Sequence, residues 1–111
     1  MSGEATIELV YWRECPSWPG ALADLRSAML DAGLDPDTVD VREVETEQDA
    51  QREGFVGSPT IRIDGRDIQP PAEDEPLGLT CRIYRLRDGR VSPTPDPADV
   101  REALEAVAAA R

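Results

Sequence analysis

Residues 6 to 12, "TIELVYW", are apolar at nearly every position and rich in β-branched and aromatic side chains. In an extended chain Ile7, Leu9 and Tyr11 share one face, and Val10 and Trp12 take the other. A strand that is apolar on both faces is covered on both sides, which predicts a central strand. The period then changes to that of a helix. Leu22, Leu25 and Met29 form one stripe over residues 18–32, with Ser17 as a cap, Pro19 in the first turn and Gly33 at the end. "TVDVREV", 38 to 44, alternates Val39 and Val41 with polar residues and predicts a second strand. A helix between two strands makes them parallel, with a right-handed crossover.

"TEQDAQREG" predicts a short helix between a Thr46 cap and a Gly54 stop. "TIRIDGRDI", 60 to 68, predicts a hairpin turning on Asp64-Gly65. Residues 69–79 carry Pro70, Pro71, Pro76 and the run Glu73 to Glu75, the composition of a surface loop. "TCRIYRLRDGRV" predicts a second, irregular hairpin around Asp88-Gly89. The tail, about 97–110, reads as a helix capped by Asp96 and opened by Pro97, with Val100, Leu104, Val107 and Ala108 inward. There is no repeat and no linker long enough to divide the chain, so residues 1–111 are expected to form a single domain.

Charge narrows the partners. A net charge of -11 repels phosphates, so no nucleic acid and no anionic membrane is expected to bind. No apolar run reaches membrane-spanning length, and the start "MSGEATIELV" has no basic region followed by an apolar one; a cytoplasmic location is expected. The oligomeric state is left open. The absence of histidine removes Ser-His-Asp and Cys-His catalysis, imidazole general bases and His-ligated zinc. Two cysteines cannot build a four-cysteine zinc or iron-sulfur site. The available chemistry is that of thiols, carboxylates, arginines and backbone. In a reducing compartment a bond between two cysteines is transient or catalytic rather than a permanent staple.

Cys15 stands in "RECPSWPG", after the first strand and before the first helix. Two readings are open: a redox nucleophile, or a small buried hydrophobe. A helix amino end lowers a thiol pKa, and Arg13 adds positive charge, whereas Glu14 and an apolar surround of Pro16 and Trp18 act the other way. Cys81 is the candidate partner, because the 60–68 hairpin returns toward the Cys15 end and the acidic loop leads from there to Cys81. Arg82 and Arg85 are placed to favour a Cys81 thiolate. The opposing reading makes Cys81 a strand residue pointing inward with Ile83, remote from Cys15.

"CP", "GSPTIRIDGRDI" and "CRIYR" together resemble the thioredoxin-like superfamily, and more narrowly a group of small prokaryotic thioredoxin-like (seleno)proteins, some labelled alkylmercury lyase-like. The resemblance spans about Thr6 to Tyr84. It implies an α/β fold with a central mixed four-stranded sheet flanked by helices, followed by a hairpin and a C-terminal helix. Cys15 matches the family nucleophile and Pro59 its cis-proline, although an edge-strand trans proline is the plainer reading of Ser-Pro alone. A cis Ser58-Pro59 bond is expected to point the Ser58 amide and carbonyl at a substrate strand. Trp18 stands where thioredoxins have their second cysteine; it is expected to wall the thiol from solvent and contribute with Ser58 and Pro59 to substrate binding.

The function implied is a thiol-disulfide oxidoreductase or thiol-dependent reductase without a bound cofactor. Cys15 attacks a protein disulfide or an oxidised low-molecular-weight thiol, and Cys81 or an external thiol resolves the mixed disulfide. The alternatives are a soft-metal protein holding mercury or copper(I) between Cys15 and Cys81, and a redox-inert interaction module on the same scaffold.

Overall fold

A computed structural model describes residues 5–110. Strand β1 (Ile7–Tyr11) is followed by helix α1 (Trp18–Asp31), a 3-10 turn (Pro36–Thr38), β2 (Asp40–Glu43) and α2 (Glu47–Glu53). Strands β3 (Thr60–Ile63) and β4 (Arg66–Asp67) form the hairpin, and β5 (Tyr84–Arg85) and β6 (Val91–Ser92) precede α3 (Pro97–Ala109). The main sheet has four strands in the order β2-β1-β3-β4, with β1 parallel to β2 and antiparallel to β3. The result is an α/β fold with a mixed sheet, and β5–β6 stands apart as a two-stranded ribbon.

The two faces of β1 build two cores. Ile7 and Leu9 meet Ile61 of β3, Leu25 and Met29 of α1, and Val100 and Leu104 of α3. Val10 faces the other way, into a smaller cluster with Val44, Ala50 and Phe55. Helices α1 and α3 therefore cover one face and α2 the other, which is why β1 carries apolar residues on both faces. The alternation written in residues 7 to 12 fixes this layering.

Local chemistry ends the elements where expected. Thr46 accepts from the Asp49 amide and Gly54 closes α2 in the left-handed conformation at φ 66°. The Asp96 carboxylate accepts from the Ala98 amide at the start of α3. Asp64 and Gly65 both adopt positive φ, 53° and 80°, as a two-residue hairpin turn requires. Arg62 is held against the end of α2. Its guanidinium donates to the Glu53 carbonyl at 2.8 Å and pairs with the Glu53 carboxylate, which also holds Arg42.

The extended segment 80–84 is fastened to the start of β3. The Ser58 amide donates to the Thr80 carbonyl (2.8 Å) and the Arg82 amide donates to the Ser58 carbonyl (2.9 Å), forming an isolated parallel bridge between Ser58 and Cys81. Gly57 permits this approach. Its φ is +145°, and a Cβ there would meet the Arg82 Cα at 2.9 Å. Gly57→Ala is therefore expected to destabilise the fold by about 1–3 kcal/mol. Gly20→Ala, in open space on α1, is expected to leave stability unchanged or raise it by up to about 1 kcal/mol. Urea unfolding of the two variants checks the contrast; equal midpoints would show that the close approach at Gly57 carries no stability.

Candidate active site

Cys15 lies four residues beyond the end of β1 and just ahead of α1, where the Cys15 amide donates to the Trp12 carbonyl in a tight turn (3.0 Å). Ser17 occupies the N-cap position of α1, but its side chain makes no capping bond. Its hydroxyl instead lies 3.2 Å from the Cys15 sulfur. The cap expected from the sequence is thus replaced by a hydrogen bond to the thiol, which gains a polar neighbour at the helix end.

Cys15 is 1% exposed. Its sulfur lies 3.4 Å from the Ser58 carbonyl oxygen, and the Ser58-Pro59 bond is cis. The Ser58 hydroxyl is buried with no hydrogen-bond partner. From the other side the bridge brings Cys81 in, and the two cysteines approach to 2.9 Å. Both are free thiols, one buried and one exposed. The proximity expected from the hairpin's return is met, and the inward-pointing alternative is not. Along segment 81–85 it is Arg82 and Tyr84 that are buried, while Cys81, Ile83 and Arg85 face outward.

The two thiols divide one charge between them. Burial pushes the Cys15 thiol up, but hydrogen bonding with Cys81 and with the Ser17 hydroxyl and amide outweighs it, and its pKa falls below the ordinary thiol value. Cys81 is pushed up, first by its hydrogen bond to Cys15, then by burial and by the Cys15 charge. Of the two, Cys15 is the first to ionise, and its thiolate accepts a hydrogen bond from the Cys81 thiol.

Several residues take other roles than expected. Ser58 does not offer its backbone to a partner strand: its amide and carbonyl are both taken by Thr80 and Arg82 of the same chain. The Pro59 carbonyl is likewise taken, by the Tyr84 hydroxyl at 2.6 Å. Trp18 stacks on Tyr11 with ring centroids 4.0 Å apart, so the ring is engaged with β1 and the main core. The cause is the pairing of two aromatic rings and the apolar area they bury together. Arg82 and Arg85 do not support a Cys81 thiolate. Arg82 reaches inward to Asp67 (2.6 Å), the Gln69 carbonyl (2.6 Å) and Thr60 (3.2 Å), and lies over the Tyr84 ring. Arg85 donates to the Gly89 carbonyl in the β5–β6 turn.

Sequence reasoning missed Arg82, Tyr84 and Gly57 as the residues that hold Cys81 in place. The alternation Cys-Arg-Ile-Tyr-Arg carried a signal, since Tyr84 marks the buried phase and therefore turns Cys81 outward. Among the described residues no group of three or more His, Cys, Asp or Glu converges on a metal-sized site, and no helix is long and apolar enough to cross a membrane. Comparison with protein-family models, with curated proteins and with solved structures finds no match for the chain.

The thiols should titrate as a coupled pair, in two separate steps. Thiolate ultraviolet absorbance is expected to show the first step below the free-cysteine value of about 8.5 and the second above it. Ser17→Ala and Cys81→Ala each raise the Cys15 titration by removing a hydrogen bond to its thiolate. The lowered first pKa adds stability as pH rises from that value to the ordinary thiol value; the raised second pKa removes stability as pH climbs beyond it. A single two-thiol step at the ordinary value would rule out the shared charge.

Proposed function

We propose that this protein is a thiol-disulfide oxidoreductase of thioredoxin-like architecture, with Cys15 and Cys81 as its redox pair. The observation that carries the reading is the 2.9 Å approach of two free thiols from distant parts of the chain. An S–S bond of about 2.05 Å requires a further closure of less than about 1 Å. The position of Cys15, between a strand end and a helix start and facing the Ser58-Pro59 segment, supports the thioredoxin-like assignment, as does the mixed sheet with α1 and α3 on one face and α2 on the other. Cys81 takes the part that a helix cysteine at position 18 would otherwise play. The reaction is P(SH)2 + RSSR → P(SS) + 2 RSH, in which the protein dithiol is oxidised and the substrate disulfide reduced by two electrons. A protein disulfide or an oxidised low-molecular-weight thiol is the substrate class, and a cytoplasmic setting returns the pair to its dithiol form.

The soft-metal reading fits the same two thiols less well. A linear sulfur–metal–sulfur unit spans two bonds of roughly 2.3 Å each, taking the zinc–thiolate length as a guide. The pair would have to part by more than 1 Å against the bridge at Ser58.

Mild oxidation followed by intact-mass measurement tests the proposal. The chain is expected to remain monomeric and lose two hydrogens, a loss abolished by Cys15→Ser and by Cys81→Ser. In a single turnover without added thiol, each variant should release at most one RSH per chain, whereas the wild type releases two. A wild-type chain that oxidises only to capped or disulfide-linked dimeric forms would overturn the paired-thiol reading. Tight one-to-one mercury(II) binding without disulfide turnover would put the metal reading in its place.

A further inference from the structure

We propose that sulfur exchange with outside molecules takes place at Cys81, so that the mixed disulfide forms on Cys81 and Cys15 acts only within the protein. This rests on the oxidoreductase reading and reverses the order in which Cys15 attacks first. Its basis is access. Cys15 is 1% exposed, enclosed by the Ser17 hydroxyl, the Ser58 carbonyl and Cys81 itself. In the resting geometry its open contact is with Cys81. To present Cys15 to an outside sulfur, the 80–82 segment must lift off, breaking both backbone hydrogen bonds at Ser58 and working against the ties of Arg82 to Asp67 and Gln69. Cys81 needs no such opening. It is exposed, and it lines a cavity of about 660 Å³ between the 69–79 loop and the 80–85 segment. That volume suits a small organic ligand. Pro70, Pro71, Leu79 and Ile83 contribute apolar lining, and Glu47, Glu75 and Arg85 charged lining; Ile83 is 77% exposed. The substrate class that fits a mixed polar and apolar cavity of this size is a low-molecular-weight disulfide.

The steps balance. Once Cys15 has lost its proton to water, Cys81 passes its own proton to the Cys15 thiolate across the contact between them, and the Cys81 thiolate attacks one sulfur of RSSR. The substrate S–S bond breaks, a Cys81–SR bond forms, and RS⁻ leaves and takes up a proton. Cys15 then loses its proton to water and attacks the Cys81 sulfur. The mixed bond breaks, the second RS⁻ leaves and is protonated, and the intrachain disulfide holds the two-electron oxidation. In the return direction an external thiolate attacks the exposed Cys81 sulfur and Cys15 departs as a thiolate. The hydrogen bonds that lower the Cys15 pKa make it the better leaving group, while the raised pKa of Cys81 makes its thiolate scarcer but more nucleophilic.

Cys15→Ser and Cys81→Ser, each mixed with excess hydroxyethyl disulfide and acid-quenched over time, separate the two orders by intact mass. Cys15→Ser is expected to gain one adduct, on Cys81. Cys81→Ser should react at Cys15 at least about tenfold more slowly, because two backbone hydrogen bonds must open first. Limiting iodoacetamide on reduced wild-type protein, followed by peptide mapping, reads the same point without a variant: Cys81 should be labelled first. Faster adduct formation in Cys81→Ser, or first labelling at Cys15, would overturn the assignment of Cys81 while leaving the internal disulfide, and hence the oxidoreductase reading, intact. Absence of the internal disulfide in wild type would remove both.

Discussion

Two backbone hydrogen bonds, from the Ser58 amide to the Thr80 carbonyl and from the Arg82 amide to the Ser58 carbonyl, hold Cys81 over Cys15. Each is worth on the order of 1 kcal/mol by itself, too little to fix a solvent-exposed segment against its conformational entropy. The bridge persists because side chains on the same segment anchor it. Arg82 turns inward to a carboxylate, a carbonyl and a hydroxyl, and Tyr84 places its hydroxyl on the Pro59 carbonyl with its ring fully buried. Gly57 removes the one side chain that would keep the strands apart. The site is therefore a consequence of how residues 80–84 are docked, and the cysteine pair is its product.

That docking also decides the electrostatics. The chain carries a net charge of -11, which makes a negative thiolate costly in general. The cations nearest in sequence to Cys81 are spent elsewhere, on Asp67, on Gln69 and on the β5–β6 turn. The Cys15 thiolate is held instead by short-range hydrogen bonds from neutral groups, Cys81 and Ser17 foremost, which suffice to offset its burial. Hydrogen bonds of this kind are directional and local, so they lower one thiol without lowering the other. The consequence is a pair in which charge and access are separated: the buried sulfur ionises first, and the exposed sulfur keeps its proton to higher pH.

The sheet supplies the rigid frame for this arrangement. β1 is central, bears a core on each face and ends just before the turn that carries Cys15. β3, its antiparallel neighbour, begins one residue beyond Pro59 and so starts at the same end of the sheet. Antiparallel pairing of these two strands brings Cys15 and Ser58 together, although 43 positions separate them. Trp18 and Tyr11 reinforce the junction of β1 and α1 by stacking, which ties the start of the helix to the strand and steadies the turn between them.

What the sequence determined by itself was whatever depends on local pattern. The double-faced apolar run at 7–12 made β1 central. Ser17, Thr46 and Asp96 marked three helix starts, and Asp64-Gly65 set the hairpin turn. The resemblance in "GSPTIRIDGRDI" and "CRIYR" singled out the two segments that meet. The partners of polar groups were decided only in the tertiary structure, because a hydroxyl, an amide or a guanidinium can satisfy itself in many directions. Ser17 reads as a cap, yet its hydroxyl serves the sulfur. Arg82 reads as a cation favouring a Cys81 thiolate, yet it is a buried strut. Ser58 reads as an open backbone edge, yet the chain's own 80–82 segment fills it. Apolar periodicity fixes which face is buried; which polar atom answers which depends on three-dimensional proximity that only the closed fold creates.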